Sequence, residues 1–542
     1  MRDLAEQEER AERTGASKQR RVWTWILACL LTAAVVLGVI GEVMVHRAAP
    51  ILKGRVIDTL SARFNSRVEL DALDVSLVKG FQVSGSGLRI FPEDEVVAAG
   101  ATEPLITLKH FSFHADWAGL FAKPMHVGTA YVSGMAIQIP PKEMRAQAPK
   151  GQRRIGKIQI VVDEIVFDDS KLVIGTSKPD KDPQDYELSH IVMREVGPTK
   201  PWDYDATLVN AIPKGDIHAK GTFGPWKNDS PGDSTVTGHY TFDHADLDTI
   251  KGIGGILSSV GEFTGQLDNI VVDGTTETPD FSLDTANHAM PLHTKFHAIV
   301  DGTNGDTYLQ PVEARLGGSE FSCRGAVINV KGKGHIIDLD VSVPAGRIQD
   351  FLQLAVKTTP VVMTGGMTMK AKLHIPPGTE SVTKKLGLQS RFTLQQIHFT
   401  NPEVEDKVDM LSLRAQGDPK EAKPGAPDVH SQMVGQFVKT GDQLKFSKLD
   451  YTLPGATVTL VGEYSLDGDE FEFAGNVKTN AKLSQMVASK WKSLLLKPVD
   501  PFFKKGGAGA EIPVKVSGTK SAPKFGLDLH QKTEKRLSEQ KP

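Results

Sequence analysis

"RVELDALDVSLVKGFQVSGSGLRI", Arg67–Ile90, decides the fold. Apolar residues stand two apart in it: Val68 and Leu70, then Leu73, Val75 and Leu77, then Phe81 and Val83, then Leu88 and Ile90. Successive side chains of a β-strand point to opposite faces, so each set shares one face while Glu69, Asp74, Gln82 and Arg89 take the other. Breaks at Asp71-Ala72, Lys79-Gly80 and Gly85-Ser86-Gly87 read as turns, and the stretch predicts a β meander. Just upstream the period changes. In Ile51–Phe64, Val56, Leu60 and Phe64 fall four apart, which predicts a short amphipathic helix.

Further towards the N-terminus lies one long apolar run, Trp23–Ile40, continued by Val43–Val45. At 1.5 Å per residue the uncharged part covers about 27 Å, close to the thickness of a bilayer core. Lys18, Arg20 and Arg21 precede it, which places the N-terminus in the cytoplasm and the rest of the chain outside. Trp23 and Trp25 suit the interfacial aromatic belt. A cleaved signal peptide needs a shorter core and a small-residue cleavage site, and "VHRAAP" is a poor one. "ILAC" at Ile26–Cys29 faintly resembles a lipoprotein box, but the apolar run continues well past Cys29.

Towards the C-terminus the alternating texture persists. Leu105–His114 and Val127–Ile139 alternate, and Ile155–Ile174 predicts at least two more strands. Asn304-Gly305 and Asp467-Gly468 are strong hairpin signals, because both dipeptides tolerate positive φ. "GTTETPDFSLD" (Gly274–Asp284) and "GTKSAPKFGLD" (Gly518–Asp528) share six letters in register. Each follows a strand pattern, so the Gly-Thr pairs read as turns. Upstream of each lies a stretch with helical spacing. One carries Leu247, Ile250, Ile253, Leu257 and Val260; the other carries Leu483, Met486, Val487, Leu494 and Leu495. A looser third copy joins "LGGSEFSCRG" (Leu316–Gly325) to the helix-like "GRIQDFLQLAVK", Gly378-Thr379 and "RFTL" (Arg391–Leu394). Units of this kind point to a solenoid-like β array in which the repeated letters are punctuation.

The chain has 542 residues, 63 Lys+Arg against 66 Asp+Glu, and two cysteines, Cys29 and Cys323. Balanced charge gives no electrostatic case for a nucleic-acid partner. Two cysteines make neither a disulfide framework nor a zinc site. A nucleophile elbow, a phosphate-binding loop and a dinucleotide fingerprint are all absent, and "KGIGGIL" at Lys251 lacks the required spacing. His110 with His114, and His293 with His297, would share strand faces, but neither pair has a convincing carboxylate or third ligand nearby in sequence. They read as polar residues on a solvated face, with no metal. "DGTNGDT" lacks the register of a calcium loop and reads as a hairpin. Asp168-Asp169 reads as a turn at a strand end. No catalytic residue and no cofactor are expected, and the chain is not expected to be an enzyme.

From Arg55 to Ile90 the sequence resembles the AsmA-like family of bacterial envelope proteins, relatives of the TamB-type bridge proteins. "DWAGLFAKPMHVGTAYVSGMAIQIPP" (Asp116–Pro141) is similar to that family's next hairpins. "GEFTGQLDNIVVDGTTETPDFSL" and "GGAGAEIPVKVSGTKSAPKFGLDL" are similar to its C-terminal repeat. The resemblance implies a mainly β fold: a transmembrane helix, then an elongated, curved, repetitive β-sheet groove with short amphipathic helices. The expected segments are a cytoplasmic tail (1–21), a transmembrane helix (22–45), an N-terminal β region (46–200), a central β-repeat region (201–419), a C-terminal repeat (420–530) and a basic polar tail (531–542). It also implies a periplasmic protein held in the inner membrane that supports outer-membrane biogenesis by carrying phospholipid along the groove. Its partners would be the inner membrane, phospholipids and outer-membrane or periplasmic proteins. The expected groove lining is Val68, Leu70, Leu73, Val75, Leu77, Phe81, Val83, Leu88, Ile90, Phe321 and Cys323. Roughly 25 strands at about 4.8 Å give a groove of about 120 Å at most. The alternative is a periplasmic scaffold or chaperone for outer-membrane protein assembly, in which the apolar face is closed or receives client strands.

Overall fold

Short patches of Val, Ile, Thr and aromatic residues, set off by Gly, Asn and Asp, form the strands. The computed structural model describes residues 53–54, 56–58, 60–61, 66–76, 81–93, 104–115, 125–139, 160–174, 184–197, 199–227, 231–357, 359–425, 429–466, 470–503, 509–519 and 522–527. The 1–21 tail, the 22–45 apolar segment, Leu77, Asp467-Gly468 and the 531–542 tail lie outside them. Among the described residues no helix is long and apolar enough to cross a membrane. The chain divides into two units. The first comprises residues up to Ser177 with Asp185–Ala206 and Thr222–Asp229, and the second comprises the remainder.

The first unit contains β1 (Ser66–Glu69), β2 (Ala72–Ser76), β3 (Phe81–Glu93), β4 (Ile106–Ala115), β5 (Met125–Ile139) and β6 (Ile160–Ile174). β1 and β2 pair in succession along β3, with Val68 opposite Ile90 and Val75 opposite Val83. β3, β4 and β5 run antiparallel, and β6 pairs parallel to β5. A parallel partner needs a long crossover, and residues 140–159 supply its length. Residues 53–54, 56–58 and 60–61 are helical, as the four-residue spacing predicts.

Two expectations fail here. Gly85-Ser86-Gly87 does not break the strand. β3 runs through it, and Gly87 takes φ +66° where β3 passes from β2 to β1. A side chain at Gly87 would strike Asp71. Asp168 and Asp169 are likewise not a turn. They lie inside β6, a single strand where two were expected, and Asp169 absorbs a local kink at φ 47°.

Three strands follow: β7 (Gln184–Val196), β8 (Trp202–Ala211) and β9 (Lys214–Phe223). The second unit is built on β10 (Thr235–Asp246), β11 (Ile253–Gly254), β12 (Ile256–Gln266), β13 (Asn269–Leu283), β14 (Met290–Val300), β15 (Thr307–Leu316), β16 (Ser319–Val330) and β17 (Gly334–Arg347). It continues through β18 (Met363–Ile375), β19 (Gly387–Phe399), β20 (Gln432–Thr440), β21 (Gln443–Leu453), β22 (Ala456–Ser465), β23 (Glu470–Thr479), β24 (Ala510–Thr519) and β25 (Ala522–Leu527). From β12 onward each strand pairs antiparallel with the next, and β10 pairs with β12. Among the described residues five helices interrupt the meander: α1 (Ile348–Ala355), α2 (Val382–Lys385), α3 (Pro402–Gln416), α4 (Lys490–Leu496) and α5 (Asp500–Phe503).

The helix expected around Leu247–Val260 is absent. A 3-10 turn (Leu247–Thr249) leads into β11 and β12 instead, because Gly252 and Gly255 adopt φ +104° and +119°, which no helix accommodates. The stretch from Leu483 is helical in pieces: a 3-10 turn, then α4. "GRIQDFLQLAVK" forms α1. Gly518 has φ +111° and stands at the end of β24, as its reading as a turn requires. Gly274 does not. It lies in mid-strand in β13, without positive φ.

Asn304-Gly305 closes the β14–β15 hairpin, with Gly305 at φ +80°. Asp301 holds that turn by accepting from the Thr303 backbone and hydroxyl and from Asn304 Nδ2. α3 was not expected. Its signals are Asn401, whose side chain accepts from the Glu403 and Val404 amides, Pro402 in the first turn, and Gly417 at φ +99° after the last.

Candidate functional site

In the second unit the register aligns one residue per strand into a row that crosses the whole meander. It starts Tyr240, Gly261, Gly274, Phe296, Val312, each opposite the next. It continues Cys323, Val341, Ala371, Ser390, Phe437. It ends Phe446, Gly462, Phe473, Val516, Phe525. The row contains no charged residue. The rows two residues to either side share its face, and Lys439, opposite Leu388 and Leu444, is the only charged residue in them. Lys439 is 8% exposed and gives its ammonium to the carbonyls of Thr383, Leu386 and Gly441 at 2.8, 3.2 and 2.7 Å. Burial pushes its pKa down. The one cation on this face is thus turned into backbone and away from the row.

The row explains Gly274. A Cβ there would stand 2.8 Å from Phe296 Cζ and 2.9 Å from the Tyr240 hydroxyl. The same arrangement recurs where Gly261 lies under Tyr240, Gly462 under Phe473 and Gly435 under Phe392. Rings from one strand lie across bare backbone on the next, which recovers the packing that glycine forgoes. Between β19 and β23 the aromatic residues form a chain. Centroid distances are 6.0 Å for Phe392–Phe437, 5.5 Å for Phe437–Phe446 and 5.6 Å for Phe446–Phe473.

A cavity of about 1000 Å³ is bordered by Cys323, Val341, Ala371, Ser390 and Phe437 and, for the most part, by the residues that alternate with them on the polar face, among them Arg324, Asp340, Lys370, Lys372 and Arg391. Ser390 is 4% exposed and its hydroxyl has no hydrogen-bond partner. Cys323 is half-buried, and burial pushes its thiol pKa up. The helices close one end of the face. Ile348 and Phe351 of α1 pack on Val343, Met367, Leu394 and Ile397, while Leu411 and Ala415 of α3 pack on Leu453 and Ala456. Phe321 belongs to this end, with its ring 6.3 Å from Phe351.

The opposite face is polar. Asp273 meets His297 at 2.8 Å, Glu277 meets His293 at 2.5 Å, and Asp338 meets His374 at 2.7 Å. The carboxylates that the sequence did not place beside His293 and His297 therefore arrive from β13. Each histidine has one, and among the described residues no group of three metal-ligating side chains forms.

The N-terminal residues expected to line a groove are placed differently. Leu70, Leu73 and Val83 form a buried cluster, with Val56, Ile57, Val75, Leu88, Phe111 and Phe113 packed against it. Val68 and Ile90 are buried opposite each other. Phe81 begins β3, and its side chain, like the whole of Leu77, lies outside the described residues. Of the expected lining, Cys323 stands in the cavity row, Phe321 under α1, and the rest that is described lies in the first unit. Sequence reasoning missed Val341, Ala371, Ser390 and Phe437, although the alternation of their own strands could have placed each on an apolar face.

No family model, no curated protein and no solved structure matches this chain.

Proposed function

We propose that the second unit carries lipid acyl chains along its apolar face, in an envelope protein of the AsmA-like kind, anchored in the inner membrane through Trp23–Ile40. One observation carries the reading: a charge-free row from β10 to β25, with Lys439 the only charged residue in the rows beside it on the same face. Each methylene moved from water onto that face contributes up to about 0.8 kcal/mol, so an acyl chain needs no polar anchor to remain. The aromatic chain and the glycine-backed rings offer a continuous surface of even polarity, along which a chain can slide without crossing a charged barrier. No catalytic group is needed, and the polar face meets water while the apolar face holds cargo.

A photo-crosslinking amino acid at Phe437 or Val341 should capture phospholipid in cells, and mass spectrometry of the purified protein should find the same lipid. The probe at Glu313 or Glu320, on the polar face, should not. Equal capture at both sets of positions, or none at either, would leave an ordinary core and end the proposal.

A further inference from the structure

Leu494 and Leu495 are adjacent, lie on α4 and are 65% and 64% exposed. They are not loose ends of the chain. Asp500, just beyond, accepts from the Ser484 amide at 2.9 Å and from its hydroxyl at 2.6 Å, which ties the helical segment back to its own 3-10 turn. At 100° per residue Leu494 and Leu495 occupy one sector of α4. Lys490 and Lys497 border it on one side and Lys492 on the other, and all three lysines are exposed. Two acids lie close. Asp418 and Glu421, with Lys420, share a depression of about 590 Å³ with Lys490, Leu494 and Lys497. The lysines still outnumber them around the leucines.

Exposed leucines between lysines have one natural occupant: an interface that is apolar inside and anionic at its surface. A helix of this kind lies in the plane of a bilayer, its leucines among the upper acyl carbons and its lysines among phosphates. A protein partner would ask for a shaped pocket, whereas here the two leucines are exposed and the long side chains that flank them are lysines, whose stems can lie along acyl carbons while the ammonium groups meet phosphate. We propose that α4 docks on the surface of an anionic phospholipid bilayer and thereby brings the second unit to a membrane. The proposal goes beyond the cargo reading and does not depend on it.

The test uses the full chain held in phosphatidylcholine nanodiscs, so that the N-terminal apolar run is already satisfied. Its capture by separate vesicles is measured by flotation. Vesicles containing phosphatidylglycerol should capture it, pure phosphatidylcholine vesicles far less, and added salt should weaken capture by screening the lysines. Leu494→Ser with Leu495→Ser should weaken capture by about a hundredfold, as the loss of two inserted side chains implies. Both sites are exposed, so the fold should survive, and circular dichroism checks this. Leu494→Phe with Leu495→Phe should retain capture, which separates docking from folding. Ala371→Arg in the cavity row should abolish lipid cargo and leave docking intact, so the two readings fail separately. Undiminished capture by the double serine variant, or no preference for anionic vesicles, would overturn the proposal.

Discussion

Beside β3, Leu70, Leu73 and Val83 are buried under the helical residues Val56 and Ile57, with 5%, 7% and 7% of their surface exposed. Beside β20, Phe437 keeps intermediate exposure between the rings of Phe392 and Phe446. Both faces are written in the same alternation, and both use the same device. Phe111 lies across Gly85 in the first unit as Phe392 lies across Gly435 in the second. The difference is cover. In the first unit a helix lies over the apolar face at β2 and β3. In the second, α1 and α3 pack at one end of the strands, against Val343 and Leu453, and leave the middle row to its own rings. Alternation makes a two-faced sheet, and a separate element decides whether its apolar face becomes a core or a surface for something else.

Charge breaks the comparison most sharply. Leu73→Asp places a carboxylate in a buried cluster whose described members are all apolar. It should cost about 3–5 kcal/mol, the scale of an uncompensated buried charge. Phe437→Asp should cost less than half of that, because the Phe437 side chain already keeps intermediate exposure to water. Hydrogen exchange in the intact chain reads both, at β3 and at β20. Equal loss of protection at the two strands would mean that the second unit's face is as sealed as the first.

The glycine–ring contacts allow a finer cut. At Gly435 the atoms a Cβ would meet are all in the Phe392 ring, whereas at Gly85 they include the Ala72 carbonyl at 2.8 Å as well as Phe111. Gly435→Ala should therefore destabilise by about 1–3 kcal/mol, as overpacking does, and Phe392→Leu should recover most of the loss. Gly85→Ala should stay destabilised even with Phe111→Leu, because backbone cannot step aside. Two double-mutant cycles measured by urea unfolding would decide. Rescue at both glycines, or at neither, would erase the distinction.

Much of the fold was legible in the sequence, because period-two alternation survives in single strands such as β3, β4 and β5. The misreadings have local causes. Leu247, Ile250, Ile253, Leu257 and Val260 satisfy helical spacing, but Gly252 and Gly255 sit in conformations that end a helix. α3 announced itself through Asn401, Pro402 and Gly417 rather than through a strong apolar face. The site was legible only in part. Phe321 and Cys323 do share a face, two residues apart on β16. That Cys323 abuts Val312 and Val341 depends on register, and irregularities between Leu309 and Val312 and between Phe446 and Leu449 shift that register from strand to strand. Nothing in a single strand records where its neighbour slips. Gly274 misled for a related reason: its glycine serves Phe296 on the next strand rather than a turn on its own.

The smallest expected effect is also the most direct probe of the row. Cys323 stands between Val312 and Val341, half-buried, with its thiol pKa raised by burial alone. Only the thiolate attacks, so at neutral pH a raised pKa lowers the reactive fraction, about tenfold for each unit. The alkylation rate should therefore climb with pH through a midpoint above the usual 9.0. Reagent shape then separates a surface from a core. A small uncharged disulfide-forming reagent should reach the half-buried thiol and react within minutes, whereas a bulky sulfonated maleimide should react several-fold more slowly. Stripping bound lipid should speed the small reagent, since acyl chains and reagent would compete for the same space. In a sealed cluster like that of Leu73 neither reagent would react until the strands unfold, and removing lipid would change nothing. Cys323→Ser should leave stability within about 1 kcal/mol, because Ser390, three strands along, shows that this row already tolerates a hydroxyl.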